Sequence, residues 1–179
     1  MIKNIPLELM VGIENKTPQD RSGKFIGAQI GITNSTDTSH VYGLQLGMAS
    51  AVESMTGFHL NIFMSLIMKG DLRGVQVSGL LNLADYAYGI QAAGVTNTAL
   101  KVNGVQAGIF NYVKEEINGV QLGAFNAASE ELNGLQVGLI CYANKGNYLQ
   151  LGLLTIRDGD RPWYTKVSPL IGWSTNAKE

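Results

Sequence analysis

A Gly-x-Gln triplet returns along this chain at a fixed interval. It stands at Gly74-Val75-Gln76, Gly89-Ile90-Gln91, Gly104-Val105-Gln106, Gly119-Val120-Gln121 and Gly134-Leu135-Gln136, each glycine 15 residues after the last. Looser copies come first, at Gly27-Ala28-Gln29, Gly43-Leu44-Gln45 and Gly57-Phe58-His59, and one follows at Tyr148-Leu149-Gln150. A short fixed period constrains a fold more than any local signal. Each unit must be one structural element that buries its surface against neighbouring copies.

With the glycine as position 0, positions 1, 3 and 5 are aliphatic or small and positions 2 and 4 are Gln and Gly. That alternation has the period of a β-strand. Phe110 and Phe125 follow at position 6, out of phase, so the chain is expected to bend beside the second glycine. Positions 9 to 12 (Val113 to Glu116, Ala128 to Glu131) read as a turn, position 13 is apolar again, and Asn103, Asn118 and Asn133 precede the next glycine. Asn-Gly is a strong turn signal because both residues tolerate positive φ.

Two all-β folds use one bent strand unit per 15 residues. In a β-solenoid, equivalent residues stack at about 4.8 Å per coil, and nine coils make a rod roughly 40 Å long. In an up-and-down β-barrel, neighbouring strands run antiparallel. The solenoid is preferred. Stacked amides at position 2 (Gln76, Gln91, Gln106, Gln121, Gln136, Gln150) and at position 7 (Asn111, Asn126) would hydrogen-bond from coil to coil, a reward that an antiparallel meander loses. The barrel is the alternative.

The array has irregularities. Units 74 and 89 carry one extra residue between Gln and the second Gly, which reads as a shared, stacked bulge. The unit from Gly57 is 17 residues long and has His59 and Asn61 in its Gln and Gly slots. One domain is expected, with an N-terminal cap over residues 1–23, the array over 24–156 and a C-terminal cap over 157–179. Both tryptophans, Trp163 and Trp173, lie in that tail, placed to close the open core.

Charged residues are 15% of the chain and balance to a net charge of −1, so no basic stripe is present to neutralise phosphates and nucleic acid is not an expected partner. The four prolines fall outside residues 19 to 161, which suits continuous strand pairing. Cys141 is the one cysteine, set among Leu139, Ile140 and Tyr142, and reads as a buried, inert thiol. The N-terminus shows no apolar signal region. The expectation is either a cytoplasmic protein or an exported domain whose signal was removed.

No motif calls for catalysis, a metal or a cofactor. His40 and His59 are the two histidines and lack metal-ligand spacing, and neither a nucleophile elbow nor a phosphate loop occurs. Asp158, Asp160, Arg161, Trp163 and Tyr164 form the densest polar-aromatic cluster. They are the candidate ligand or glycan contacts, set against the plainer reading of an Asp-Gly turn entering a cap. The Gln row reads as a register-setting ladder before a binding stripe. The Glu115-Glu116 and Glu130-Glu131 pairs read as solvated turns.

The units Gly104 to Tyr112 and Gly119 to Ala127 resemble the G-[LV]-Q-x-G-[LIF]-x-N-x-A repeat of a bacterial surface-repeat family, whose members are uncharacterised exported proteins and lipoproteins predicted from sequence. The likeness extends to Ile5-Pro-Leu-Glu-Leu at the start and to Pro162-Trp-Tyr and Pro169-Leu-Ile at the end, about residues 5 to 173. It departs from the pattern at Gly57 to Arg73. The resemblance implies an exported, periplasmic or cell-surface module with a protein or envelope partner, and membrane association through a removed signal or lipid anchor. It supplies no catalytic residue. The expected function is a non-enzymatic structural or interaction module of the bacterial envelope, with oligomers formed through solenoid edges. A small outer-membrane barrel and a ligand- or glycan-binding domain are the alternatives.

Overall fold

The computed structural model describes residues 8–17, 24–36, 40–158 and 166–175. Ten strands form one sheet in chain order: β1 (Glu8–Thr17), β2 (Lys24–Thr36), β3 (His40–Val52), β4 (Met55–Ser78), β5 (Leu81–Ala93), β6 (Thr96–Ala107), β7 (Phe110–Leu122), β8 (Phe125–Lys145), β9 (Tyr148–Arg157) and β10 (Val167–Ser174). Every neighbour pair from β1 to β9 is parallel, and each triplet sits on the next: Gly104 on Gly119, Gln106 on Gln121. The fold is a β-solenoid of about nine turns with roughly 15 residues per coil. The up-and-down barrel is not adopted, because its neighbours would be antiparallel.

The bend falls beside the second glycine, at Gly108-Ile109 and Gly123-Ala124, where the phase break puts it. The two other turn readings need correction. Strand β7 runs unbroken through Val113 to Glu116, and Val113 is fully buried, because position 9 points into the coil. The Asn118-Gly119 step is also strand rather than a tight turn. Its glycine is needed for a different reason. Gly119 has φ +151°, and a Cβ there would lie 1.9 Å from the carbonyl oxygen of Gly104 in the preceding coil. Glycine lets two backbones stack at the strand spacing while the chain turns a corner.

Each regular coil buries four side chains. In the coil from Gly104 these are Gln106, Asn111, Val113 and Ile117. The interior is therefore two amide columns and two aliphatic columns. The aliphatic half forms a continuous cluster from Phe25 through Val41, Leu72 and Val102 to Leu132 and Tyr148. Tyr148, in the glycine slot of the last unit, is paired with Gly134 and is itself buried. The twin bulges stack as expected: Ser78 pairs with Ala93, and a Cβ on Gly94 would strike the Gly79 carbonyl.

The described ends behave differently from each other. Residues 8–17 of the N-terminal segment join the sheet in parallel register, Glu8 on Gly27, with Met10 in the Gln column and Asn15 in the Asn column. At the other end β10 reverses and pairs antiparallel with β9. Pro169 lies on this last strand, where a missing amide donor is tolerated. Trp173 does not plug the core. Gly172 lies over Gln150, so alternation turns Trp173 outward beside Leu149, and it is 61% exposed. Trp163 lies outside the described residues.

Candidate functional site

The amide columns are inside and bonded from coil to coil. Nε2 of Gln91, Gln106, Gln121, Gln136 and Gln150 each donates to Oε1 of the preceding glutamine, at 2.6 to 2.9 Å. Asn82, Asn97 and Asn111 donate through Nδ2 to Oδ1 of the next asparagine, ending on Asn126, at 2.8 to 2.9 Å. Their second N–H reaches a carbonyl of the next coil, as Asn111 does to Leu122 at 2.9 Å. An amide carries donor and acceptor on opposite edges, so a stack of amides satisfies itself without water. These glutamines and asparagines are thus structural. Cys141 takes the next place in the Asn column, accepting from Asn126 Nδ2 at 3.8 Å. It is fully buried, and burial pushes its thiol pKa up.

The beat fails inside as well as in sequence. His59 occupies the Gln column between Gln45 and Gln76, and Ser50 and Ser65 occupy the Asn column between Asn34 and Asn82. A serine is too short to reach the next coil. Asn61, from the glycine slot, compensates: its Nδ2 donates to Ser50 Oγ at 2.6 Å and to Ser65 Oγ at 2.5 Å. His59 Nε2 contacts Ser50 Oγ. Gln45 Oε1, His59 Nδ1, Asn61 Oδ1 and Asn82 Oδ1 are buried with no hydrogen-bond partner among the described residues. Burial pushes the His59 pKa down to about 3, so the ring is neutral at pH 7. A serine beside a histidine suggests a nucleophile, but both side chains are sealed in the coil and no carboxylate orients the ring. The cluster is a fault in the ladder bridged by Asn61.

Of the C-terminal cluster, Asp158 is described and Asp160, Arg161, Trp163 and Tyr164 lie outside the described residues. The Asp158 carboxylate accepts from Lys166 Nζ at 2.7 Å and from Tyr142 Oη at 3.1 Å. The Lys166 bond, then that from Tyr142, holds its pKa below the usual carboxylate range. Asp158 is a tether between the last coil and β10. The Glu pairs face outward on β7 and β8: Glu116 is stacked on Glu131, Lys101 approaches Glu115 and Glu116 at 3.7 and 3.8 Å, and Asn118 and Asn133 donate to Glu116 and Glu131. No group of three or more His, Cys, Asp or Glu side chains among the described residues is arranged to hold a metal.

The remaining feature is the outer surface. With Gln and Gly at positions 2 and 4 turned in, positions 1, 3 and 5 turn out, and every one of them from β1 to β9 is apolar. Phe58 is 55% exposed and Ile62 60% exposed. Strand β10 continues the face, laying Ile171 beside Leu151 and Trp173 beside Leu149. Over the first coils the small residues at position 4 (Gly12, Gly31, Gly47) floor a groove of about 830 Å³ between the taller position 3 and position 5 side chains. The regular alternation was legible in the sequence, but it defines two faces without saying which is inside. Two clues lay in the unit: buried aliphatics recurring at positions 9 and 13, and the near-constant Gln, which only a fixed interior geometry requires.

No protein-family model, no curated protein and no solved structure matches this chain.

Proposed function

We propose that this chain is a non-enzymatic structural or interaction module of the bacterial cell envelope, and that its working surface is the outward apolar face of the solenoid. One observation carries the reading: three outward columns, all apolar, run across β1 to β9, and β10 extends the face with Ile171 and Trp173. At about 4.8 Å per strand and about 3.3 Å per residue, five positions of ten strands span roughly 800 Å². The largest apolar patch on a typical monomer is about 300–600 Å², and larger ones mark places where another surface docks.

The likeness of the repeat to the surface-repeat family supports the envelope setting. The polar groups of the regular ladder and of Asp158 are already committed. The ladder amides satisfy one another, and the Asp158 carboxylate is held by Lys166 and Tyr142, which weighs against a glycan site built on it.

The test is a photo-cross-linking amino acid placed at Ile90 on the apolar face and, separately, at Asn103 on the polar flank, with the full-length protein in its native cells. Cross-linked products from position 90 and none from position 103 are expected. Products from position 103 with none from position 90 would sink the reading.

A further inference from the structure

The occupant of this face can be inferred from its dimensions, its chemistry and its pitch, granting that it is the working surface. On β1 to β9 the three columns carry no charge and no hydrogen-bonding side chain, and β10 adds the indole N–H of Trp173, so the partner must be apolar over nearly the whole footprint. A charged or polar partner would lose water from its own groups and find nothing to bond. An anionic lipid surface is drawn by Lys and Arg flanking an apolar face; here the chain carries 13 basic against 14 acidic residues, and among the described residues no basic cluster borders the columns.

Pitch narrows the choice further. Side chains in each column repeat at one strand spacing, about 4.8 Å, along a face roughly 48 Å long. Ridges and troughs interdigitate over that length only with a surface of the same pitch, as when two sheets pack face to face about 10 Å apart. A second copy of this chain has that pitch, and its face is apolar throughout. Roughly 800 Å² from each copy gives about 1,600 Å² in total, the size of a standard stable interface.

We propose that two copies of this chain associate face to face through the apolar columns, about a two-fold axis that lies in the interface plane, parallel to the strands. The rods then run antiparallel. The glycine-floored groove over the first coils of one copy then faces the same strand positions in the last coils of the other, where Leu122, Val137, Leu151 and Ile171 project. This contact uses the sheet face, not the strand edges at the ends of the rod.

Sedimentation of the full chain at micromolar concentration tests the proposal, with Leu122→Glu and Ile90→Glu as two independent face variants and Asn103→Glu as the control on the polar flank. Circular dichroism checks that each variant keeps its strands. The wild type and Asn103→Glu should sediment as dimers. Each face variant should raise the dissociation constant by roughly 100-fold or more and run as a monomer. A wild type that is monomeric at 100-fold higher concentration, or a dimer that survives both face variants, overturns it. The cross-linked products from position 90 separate the two claims. A product containing two differently tagged copies of this chain supports the dimer. A product with another protein or with lipid overturns the dimer and leaves the face as the working surface. No product from position 90 removes both.

Discussion

Gln121 donates through its side-chain amide to Oε1 of Gln106, one coil earlier, at 2.9 Å, and both residues are fully buried. The pair is one rung of a ladder that runs from Gln76 to Gln150 with a single geometry. A buried amide without partners is costly, so each rung is stable only because its neighbours are present.

Gln106→Ala tests that interdependence. It removes the acceptor of Gln121 and the donor to Gln91, and it leaves a cavity in a close-packed interior. The expected loss is on the order of 3 kcal/mol or more. Asn118→Ala, which removes an outward bond to Glu116, should change stability by less than about 1 kcal/mol. Urea midpoints of the two variants compare them directly. Equal, small losses would mean that the ladder contributes little.

Gly119→Ala probes the stacking distance rather than the ladder. Its methyl group would meet the backbone of Gly104, which cannot rotate away as a side chain can, and its φ of +151° disfavours any L-residue. We expect a loss above about 3 kcal/mol, read as a fall in Tm or as failure to recover folded protein. A Tm within two or three degrees of wild type would show that adjacent coils can move apart at little cost.

His59 makes the fold sensitive to acid. Its folded pKa is lowered to about 3 by burial, whereas the unfolded value is near 6.5. The unfolded state therefore binds the extra proton first as pH falls. The stability contribution is complete above about pH 6.5 and is lost progressively toward pH 3, at about 1.4 kcal/mol per pH unit. Between pH 6.5 and 5, carboxylates remain largely ionised and this histidine dominates. His59→Gln should flatten Tm across that window. It should also raise stability at pH 7 by about 1 kcal/mol, since a glutamine can take the open place between Gln45 and Gln76. A variant with unchanged pH dependence would assign the acid sensitivity elsewhere.

Cys141 should be silent in the folded protein. It is fully buried in the Asn column and its thiol pKa is raised, so little thiolate exists and none is accessible. A thiol-reactive dye should label it only after unfolding in denaturant, and prompt labelling in buffer would contradict the placement.

Much of the fold is readable from spacing because a solenoid is nearly one-dimensional: residues 15 apart in sequence are neighbours in space. That is why the Gln and Asn rows, the twin bulges at Ser78 and Ala93, and the irregular unit at His59 could be placed from the chain. The turns at Val113 to Glu116 and Asn118-Gly119 were misread because propensity rules for isolated hairpins do not carry over to a coil whose backbone is paired on both sides. Trp173 was misassigned because its facing depends on the register of an antiparallel partner, and a shift of one residue reverses it.

The candidate site was the least legible part. The cluster from Asp158 to Tyr164 drew attention as a concentration of polar and aromatic residues, yet the described member, Asp158, is engaged within the fold by Lys166 and Tyr142. The apolar columns drew none, since an apolar row in a strand is ordinarily read as core.

The 15-residue period, the single-residue insertions and the amide that recurs at position 2 of the units determine a stacked, parallel, all-β rod, because only stacking returns the same side chain to itself. Which side of each strand faces inward was decided in three dimensions. A 15-residue coil has room for four inward side chains, and the amides and the position 9 and 13 aliphatics fill it. The aliphatics at positions 1, 3 and 5 are left outside, and through them the structure acquires a surface that another molecule can cover.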